Sequence, residues 1–247
     1  MSEIYRQHQV WNNKLVLRKV YDDIYNRMTK FIKPGLILEI GSGGINFNKN
    51  YKEVIYTDIQ DVPWVDVVSD AHHLPFVKKI FTNILMIDVL HHLHSPVSFF
   101  EEASKVLEVG GRIVLVEPAI TKISSFFYKY FHSEPVNMKV NAFDKNLTTT
   151  DPYDSNQALP TLLFKDLVRF EDLINNFKVI YKNEFGFLTY PLSGGFRTWT
   201  LLPSFLYPLF LKIEKYFSMQ ETYPSNGLLK KCELLNIYGC IFYKQYL

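Results

Sequence analysis

The chain has 247 residues and is 47% hydrophobic, enough to bury a full core, and this length suits one α/β unit. Its net charge of +2, with acids and bases interspersed, gives no basic footprint for nucleic acid. Cys232 and Cys240 read as buried free thiols rather than a disulfide framework, and the start, Met1 to Arg6, lacks a secretion-signal pattern, so cytoplasmic residence is expected.

Taken in chain order, Tyr5, His8 and Trp11 come first; they either fold over a ligand as a lid or pack against the next helix. Leu17, Val20, Tyr21, Ile24, Met28, Phe31 and Ile32 form one apolar stripe, which predicts an amphipathic helix over 13–32. Leu36-Ile37-Leu38 reads as a buried parallel strand that ends at Glu39, and Gly41-Ser42-Gly43-Gly44 is a glycine turn. A second strand from Val54 is closed by Asp58, 17 residues after Gly41. The third runs from Val65 to Ser69 and meets Asp70-Ala71; the fourth, Phe81 to Ile87, ends in Asp88-Val89-Leu90-His91-His92. Ser95-Pro96 is a helix start, and apolar spacing predicts a helix to about Val109, stopped by Gly110-Gly111. Arg112 to Val116 is a fifth strand, Phe164 to Phe177 a helix, Val179 to Phe187 a sixth strand and Leu234 to Tyr243 the last. Strands alternating with helices imply a parallel sheet with helices on both faces.

The glycine turn lets backbone approach a ligand closely, and a carboxylate at Asp58 can accept hydrogen bonds from both ribose hydroxyls. A dinucleotide is disfavoured, because Asn46 occupies the place of the third glycine and Glu39 would repel a pyrophosphate. A phosphate-free cofactor with a cationic centre suits Glu39, and S-adenosylmethionine has that chemistry. Asp70 can take the adenine amino group while the Ala71 N–H meets a ring nitrogen. The candidate cofactor-binding residues are therefore Glu39, Gly41, Ser42, Gly43, Asp58, Ile59, Asp70, Ala71 and Asp88.

The segments LEIGSGG, YTD, SDAHHLPF, DVLHHL and LEVGGRIVLVEP, in register from Leu36 to Pro118, resemble class I S-adenosylmethionine-dependent methyltransferases of the small-molecule and lipid type. Ile45 stands where that family has a third glycine. The resemblance implies a Rossmann-like, seven-stranded, mostly parallel sheet in the order 3-2-1-4-5-7-6, with the last strand inserted antiparallel. It also implies S-adenosylmethionine as cofactor and a methyl-transfer site beside Asp88, His91 and His92. Residues from Ala119 to Asp144 are similar to methyltransferases found among bacterial polysaccharide and lipid-glycan genes.

A single domain over 1–247 is expected, with cap or lid segments at 1–12, 119–160 and 188–231 that choose the acceptor. Residues 196–215 are apolar and aromatic, but Pro203 and Pro208 break them, as Gly194 and Gly195 do just upstream, so a membrane span is excluded. They read as a helical cap over an acceptor pocket, or as a peripheral membrane contact that collects a lipid-linked acceptor. The acceptor is expected to be a small molecule or lipid-linked, methylated at oxygen; a nitrogen or carbon acceptor such as a quinone-like ring, or cofactor binding without turnover, are the alternatives. No Asn/Asp-Pro-Pro-Tyr/Phe tetrapeptide follows the fourth strand and no cysteine lies near it, which argues against base methylation. His91 and His92 are the candidate bases, pointing in different directions, with unperturbed pKa values suited to neutral pH. His132 and Glu134 are expected in a solvated loop, and His72-His73 at the adenine edge. No metal is expected, since adjacent histidines usually point apart and neither cysteine has ligand spacing to them. The sequence does not name the oligomeric state.

Overall fold

A computed structural model of the chain describes residues 3–45, 53–121, 124–125, 128, 134–147, 154–186, 188–218 and 236–244, with backbone alone for 217–218 and 236–244. The sheet is built outward from β1 (Ile37–Ile40), which is buried at every position because parallel strands flank it on both sides. Its residues pair with β2 (Val54–Asp58) on one edge and with β4 (Phe81–Ile87) on the other. β3 (Val67–Val68) pairs with β2, and β5 (Leu107–Ala119) pairs with β4, all parallel. β7 (Asn236–Lys244) lies antiparallel between β5 and β6 (Phe177–Phe185). The order is β3-β2-β1-β4-β5-β7-β6, as the family resemblance implies.

Two buried apolar clusters cover the two faces. On one, α3 (Pro96–Val106) brings Phe99, Phe100 and Ala103 against Leu38, Ile84 and Leu115, joined by α4 (Leu159–Lys165) and α5 (Leu167–Leu173). On the other, α2 (Leu15–Met28) packs Leu17, Tyr21, Ile24 and Met28 against Ile37, Leu85 and Val114. α1 (Glu3–Asn13) is a separate helix, so the stripe from Leu17 onward builds α2 and a 3-10 turn over Thr29–Phe31. α6 (Thr189–Ser193) and α7 (Tyr207–Ser218) follow β6.

Some boundaries depart from the sequence reading. Ser95 caps α3 through Ser98 N, with Pro96 at its first turn, but the helix ends at Val106 rather than Val109. Leu107 is already extended (φ −80°, ψ 136°) and pairs with Phe81. Gly110, at φ +81°, falls in the irregular register before Arg112 rejoins Asn83, so the glycines interrupt a strand rather than stop a helix. The expected helix from Phe164 to Phe177 is split: Asp166 leaves helical geometry and caps α5 by accepting from Arg169 N. Phe177 instead opens β6, which ends at Phe185. The third strand is shorter than Val65 to Ser69. Cys232, His132 and the Cys240 side chain lie outside the described residues. No helix among the described residues is long and apolar enough to cross a membrane.

Candidate active site

Sheet order reverses between β1 and β4, and ligands of open α/β sheets bind outside the strand ends at such a switch point. A cleft of about 1090 Å³ opens there. Glu39, Gly41, Asp58, Ile59, Asp70, Ala71, Asp88, His91 and His92 all line it.

Backbone geometry sets the first half. Gly41 has φ +76°, and a Cβ there would stand 2.2 Å from Val89 Cγ2. Gly43 N–H donates to Asp58 Oδ2 at 2.8 Å, and Gln60 N–H to Oδ1 at 2.8 Å. A Cβ on Gly43 would lie 2.6 Å from that carboxylate and 2.1 Å from Ile4 Cδ1. Ser42 and Gly43 do not form the cleft wall: Ser42 is fully buried and its hydroxyl donates to Thr57 O, while the Gly43 carbonyl accepts from Trp64 Nε1 at 2.6 Å. Burial raises the Asp58 pKa, against the backbone donors that favour its charge. Glu39 is buried and accepts from Tyr25 OH at 3.2 Å. Burial also works against the Asp70 charge, but hydrogen bonds from His72 N–H and its ring outweigh it and hold the pKa below the usual carboxylate range. The His72 and His94 rings lie 3.9 Å apart, tilted by 30°, on the cleft edge, whereas the His73 side chain is exposed.

α1 roofs this half, and of the two alternatives for Tyr5, His8 and Trp11 their contacts are those of packing, while other residues of α1 face the cleft. Ile4, Arg6 and Gln7 line the cleft. Tyr5 and His8 pack on Trp64, and Trp11 meets Tyr21 edge-on. Arg6 donates to Phe196 O, and buried Lys14 donates to the carbonyls of Gly195, Arg197 and Trp199 at 2.7–2.9 Å. The far wall is therefore tied to the roof.

The second half begins at Asp88, whose φ of +55° turns the chain at the end of β4. Tyr21 OH donates to its Oδ2 at 3.2 Å, and burial with the Glu117 charge pushes its pKa up to about 7. Glu117 is fully buried and accepts from Val89 N, Leu90 N and the His91 ring, whose Nδ1 lies 2.9 Å away. His91 Nε2 lies 3.2 Å from Glu134 Oε2. Burial alone would lower the His91 pKa, but the two carboxylates outweigh it and raise it to about 10. His92 is pulled down to about 4 by burial and by the neighbouring His91 charge. The unperturbed pKa that would suit one of them to neutral pH is thus replaced by two opposite shifts: one imidazole is held as a cation, the other neutral, with rings 4.2 Å apart. Glu134 is also not in a solvated loop, since it contacts both rings and accepts from Gln157 Nε2. Tyr128, Tyr190, Phe196 and Trp199 complete the lining.

Sequence reasoning overlooked Glu117, Gln157, Trp64 and the tyrosines. Glu117 had a signal: Val116 pairs with Ile87, so the acid that follows Val116 on β5 stands beside Asp88. Gln157 and Tyr190 lie in the irregular segments, where no periodicity marks them.

The methyltransferase domain family model matches residues 38–115, the span that supplies Glu39, Gly41, Asp58, Asp70, Asp88 and His91. Over that span the chain is similar to the methyltransferase domain family, with S-adenosylmethionine as the cofactor this implies. No curated protein matches the sequence. Among solved structures, a S-adenosylmethionine-dependent methyltransferase from Methanosarcina mazei is 15% identical, with 88% of this chain and 96% of that one covered and a TM-score of 0.46. One from Thermotoga maritima is 14% identical, with 98% of both chains covered and a TM-score of 0.47. These are likenesses of fold.

The residues present fit the cofactor. Gly41 brings bare backbone to the cleft wall, Asp58 can accept from ribose hydroxyls, and Glu39 and Asp88 offer carboxylates to an ammonium and a sulfonium. When bound, S-adenosylmethionine supplies an activated methyl group on sulfur. The methyltransferase itself has to orient the acceptor and exclude water.

Proposed function

We propose that this methyltransferase methylates a hydroxyl of a small or lipid-linked acceptor, glycan-bearing in the lipid-linked case, in the cytoplasm and at a membrane surface. One observation carries the reading: the cleft continues past Asp88 into a second half lined by Tyr128, Tyr190, Phe196 and Trp199. Aromatic faces and hydroxyls together suit a polyhydroxyl acceptor, which stacks on rings and hydrogen-bonds at its rim. The roof and far wall, joined through Arg6 and Lys14, keep water from the transfer site.

Of the two histidines, His92 receives the acceptor hydroxyl's hydrogen bond, because its ring is neutral and its side chain is 38% exposed, against 3% for His91. Glu134, 4.0 Å from His92 Nε2, offsets positive charge that develops there. His91, clamped between Glu117 and Glu134, positions the turn.

The membrane part rests on α7 and the chain before it. Phe205, Leu209, Ile213 and Tyr216 are exposed, three of them at four-residue spacing, and Lys212 and Lys215 flank them. An apolar, aromatic stripe edged by lysines is the composition of an interfacial helix. The test is transfer of labelled methyl from S-adenosylmethionine to separated pools of glycolipids, free sugars, amines and quinones. Label in an alkali-stable ether of the glycolipid or sugar pool is expected; label confined to amine or ring carbon would replace this reading.

A further inference from the structure

Three ligand atoms converge where the acceptor hydroxyl would sit. Atoms of His91, His92 and Glu134 capable of binding a metal all lie within 4.8 Å of one another. His91 Nε2 and His92 Nε2 stand 3.2 and 4.0 Å from the two oxygens of the Glu134 carboxylate. Ligands about 2.1 Å from a tetrahedral ion are roughly 3.4 Å apart, so little side-chain motion closes the set. All three residues lie on the cleft wall.

We infer that His91, His92 and Glu134 form a binding site for a divalent transition ion of the zinc type, with its open position toward the cleft. The inference rests on the methyltransferase reading only for what the ion would do.

Three further observations support it. Glu117, fully buried, holds His91 Nδ1 at 2.9 Å, which fixes the ring and leaves Nε2 to face Glu134. A carboxylate on the second nitrogen is the usual support for a metal-bound histidine. Gln157 is 3% exposed, hydrogen-bonded to Glu134 through its Nε2 and on the same wall, yet its buried Oε1 has no partner among the described residues. A buried amide oxygen without a donor is costly, and beside this trio it can serve as a further ligand. Finally, Glu117 and Glu134 bring two more carboxylates to the surroundings of Asp88 and both push its pKa upward, against the His91 charge that pulls it down. A dication would offset that charge.

Two imidazoles and one carboxylate, with a fourth position open, are the donor set of a catalytic zinc centre; magnesium and calcium prefer oxygen ligands throughout. An ion there would displace the proton from His91 Nε2 to solvent, would be a Lewis acid for the acceptor hydroxyl, lowering its pKa, and would take His92 as a ligand in place of its role above. The trio joins residues after β4 with one from the segment that follows β5, so only folding brings it together.

The test uses tag-free full-length protein stripped by chelation, then titrated with Co(II) and Zn(II). Stoichiometric binding with the visible spectrum of low-symmetry Co(II), at a dissociation constant in the micromolar range or tighter, is expected. His92→Ala and Glu134→Gln should each weaken it by on the order of 100-fold. S-adenosylhomocysteine titration of the same samples reports the fold and the cofactor site separately. Absence of stoichiometric binding in protein that still binds S-adenosylhomocysteine overturns the metal site, as does wild-type metal affinity in both variants. Metal binding without S-adenosylhomocysteine binding overturns the cofactor reading instead.

Discussion

Asp58 accepts one backbone N–H on each carboxylate oxygen, which aims it while leaving lone pairs for a ribose. Removing it in Asp58→Ala should weaken S-adenosylhomocysteine binding by about 1–3 kcal/mol, measured by calorimetry. Burial lifts its pKa above the 3.8 of an ordinary aspartate, so on acidification a proton competes for the carboxylate sooner than at an exposed site. Affinity should therefore fall as pH drops, beginning above 3.8, and Asp58→Asn should flatten that part of the profile. At the other end of the cleft, His92→Ala should lower turnover by about 100-fold while cofactor affinity holds, whether His92 bonds the hydroxyl or a metal ion. Near-wild-type turnover would leave alignment alone as the chemistry. Asp58, Glu39 and Asp88 stand out in the sequence because each lies at or near the end of an apolar run, and all three line the cleft. It could not show that His91 and His92 differ in charge, since Glu117 and Glu134 come from 26 and 43 positions beyond His91.

Among elements, the break between α1 and α2 matters most to the cleft. Lys14 sits at that break and its ammonium binds three carbonyls of residues 195–199, although burial pulls its pKa down to about 8. Lys14→Met should free this wall, so trypsin should cut after exposed Arg197 several-fold faster, with S-adenosylhomocysteine affinity retained. Unchanged cleavage would mean that Arg6 and the α6 contacts hold the wall by themselves. Element existence was legible where burial is two-sided: β1 and β4 read as continuous apolar runs. Boundaries were less so. The run from Val97 to Val106 keeps helical spacing up to the point where strand pairing with Phe81 takes over, and pairing is not a local property. Asp166 hid a helix break for a related reason, since a cap and an exposed helical acid look alike in sequence.

At the scale of the whole molecule, a generic sheet carries a site whose second half is made by the segments least predictable from sequence. Periodicity reports packing on the sheet, and residues such as Glu134, Gln157 and Tyr190 answer to the cleft instead. The exposed stripe on α7 follows closely in the chain after Phe196 and Trp199, which line the cleft, so a surface that holds a lipid would be joined by a short segment to the acceptor wall. The protein should then float with vesicles containing anionic lipid, and Phe205→Ser with Leu209→Ser should abolish flotation without loss of S-adenosylhomocysteine binding. No flotation of the wild type would confine the acceptor to free molecules.

The carboxylate-ringed cleft at the β1–β4 switch point is the premise shared by cofactor, acceptor and ion. Titration of S-adenosylhomocysteine and of NAD into the same protein, followed by calorimetry, tests it most directly. One-site binding of S-adenosylhomocysteine that Asp58→Ala weakens, with no heat from NAD, is the predicted result. NAD binding in its place would contradict the account.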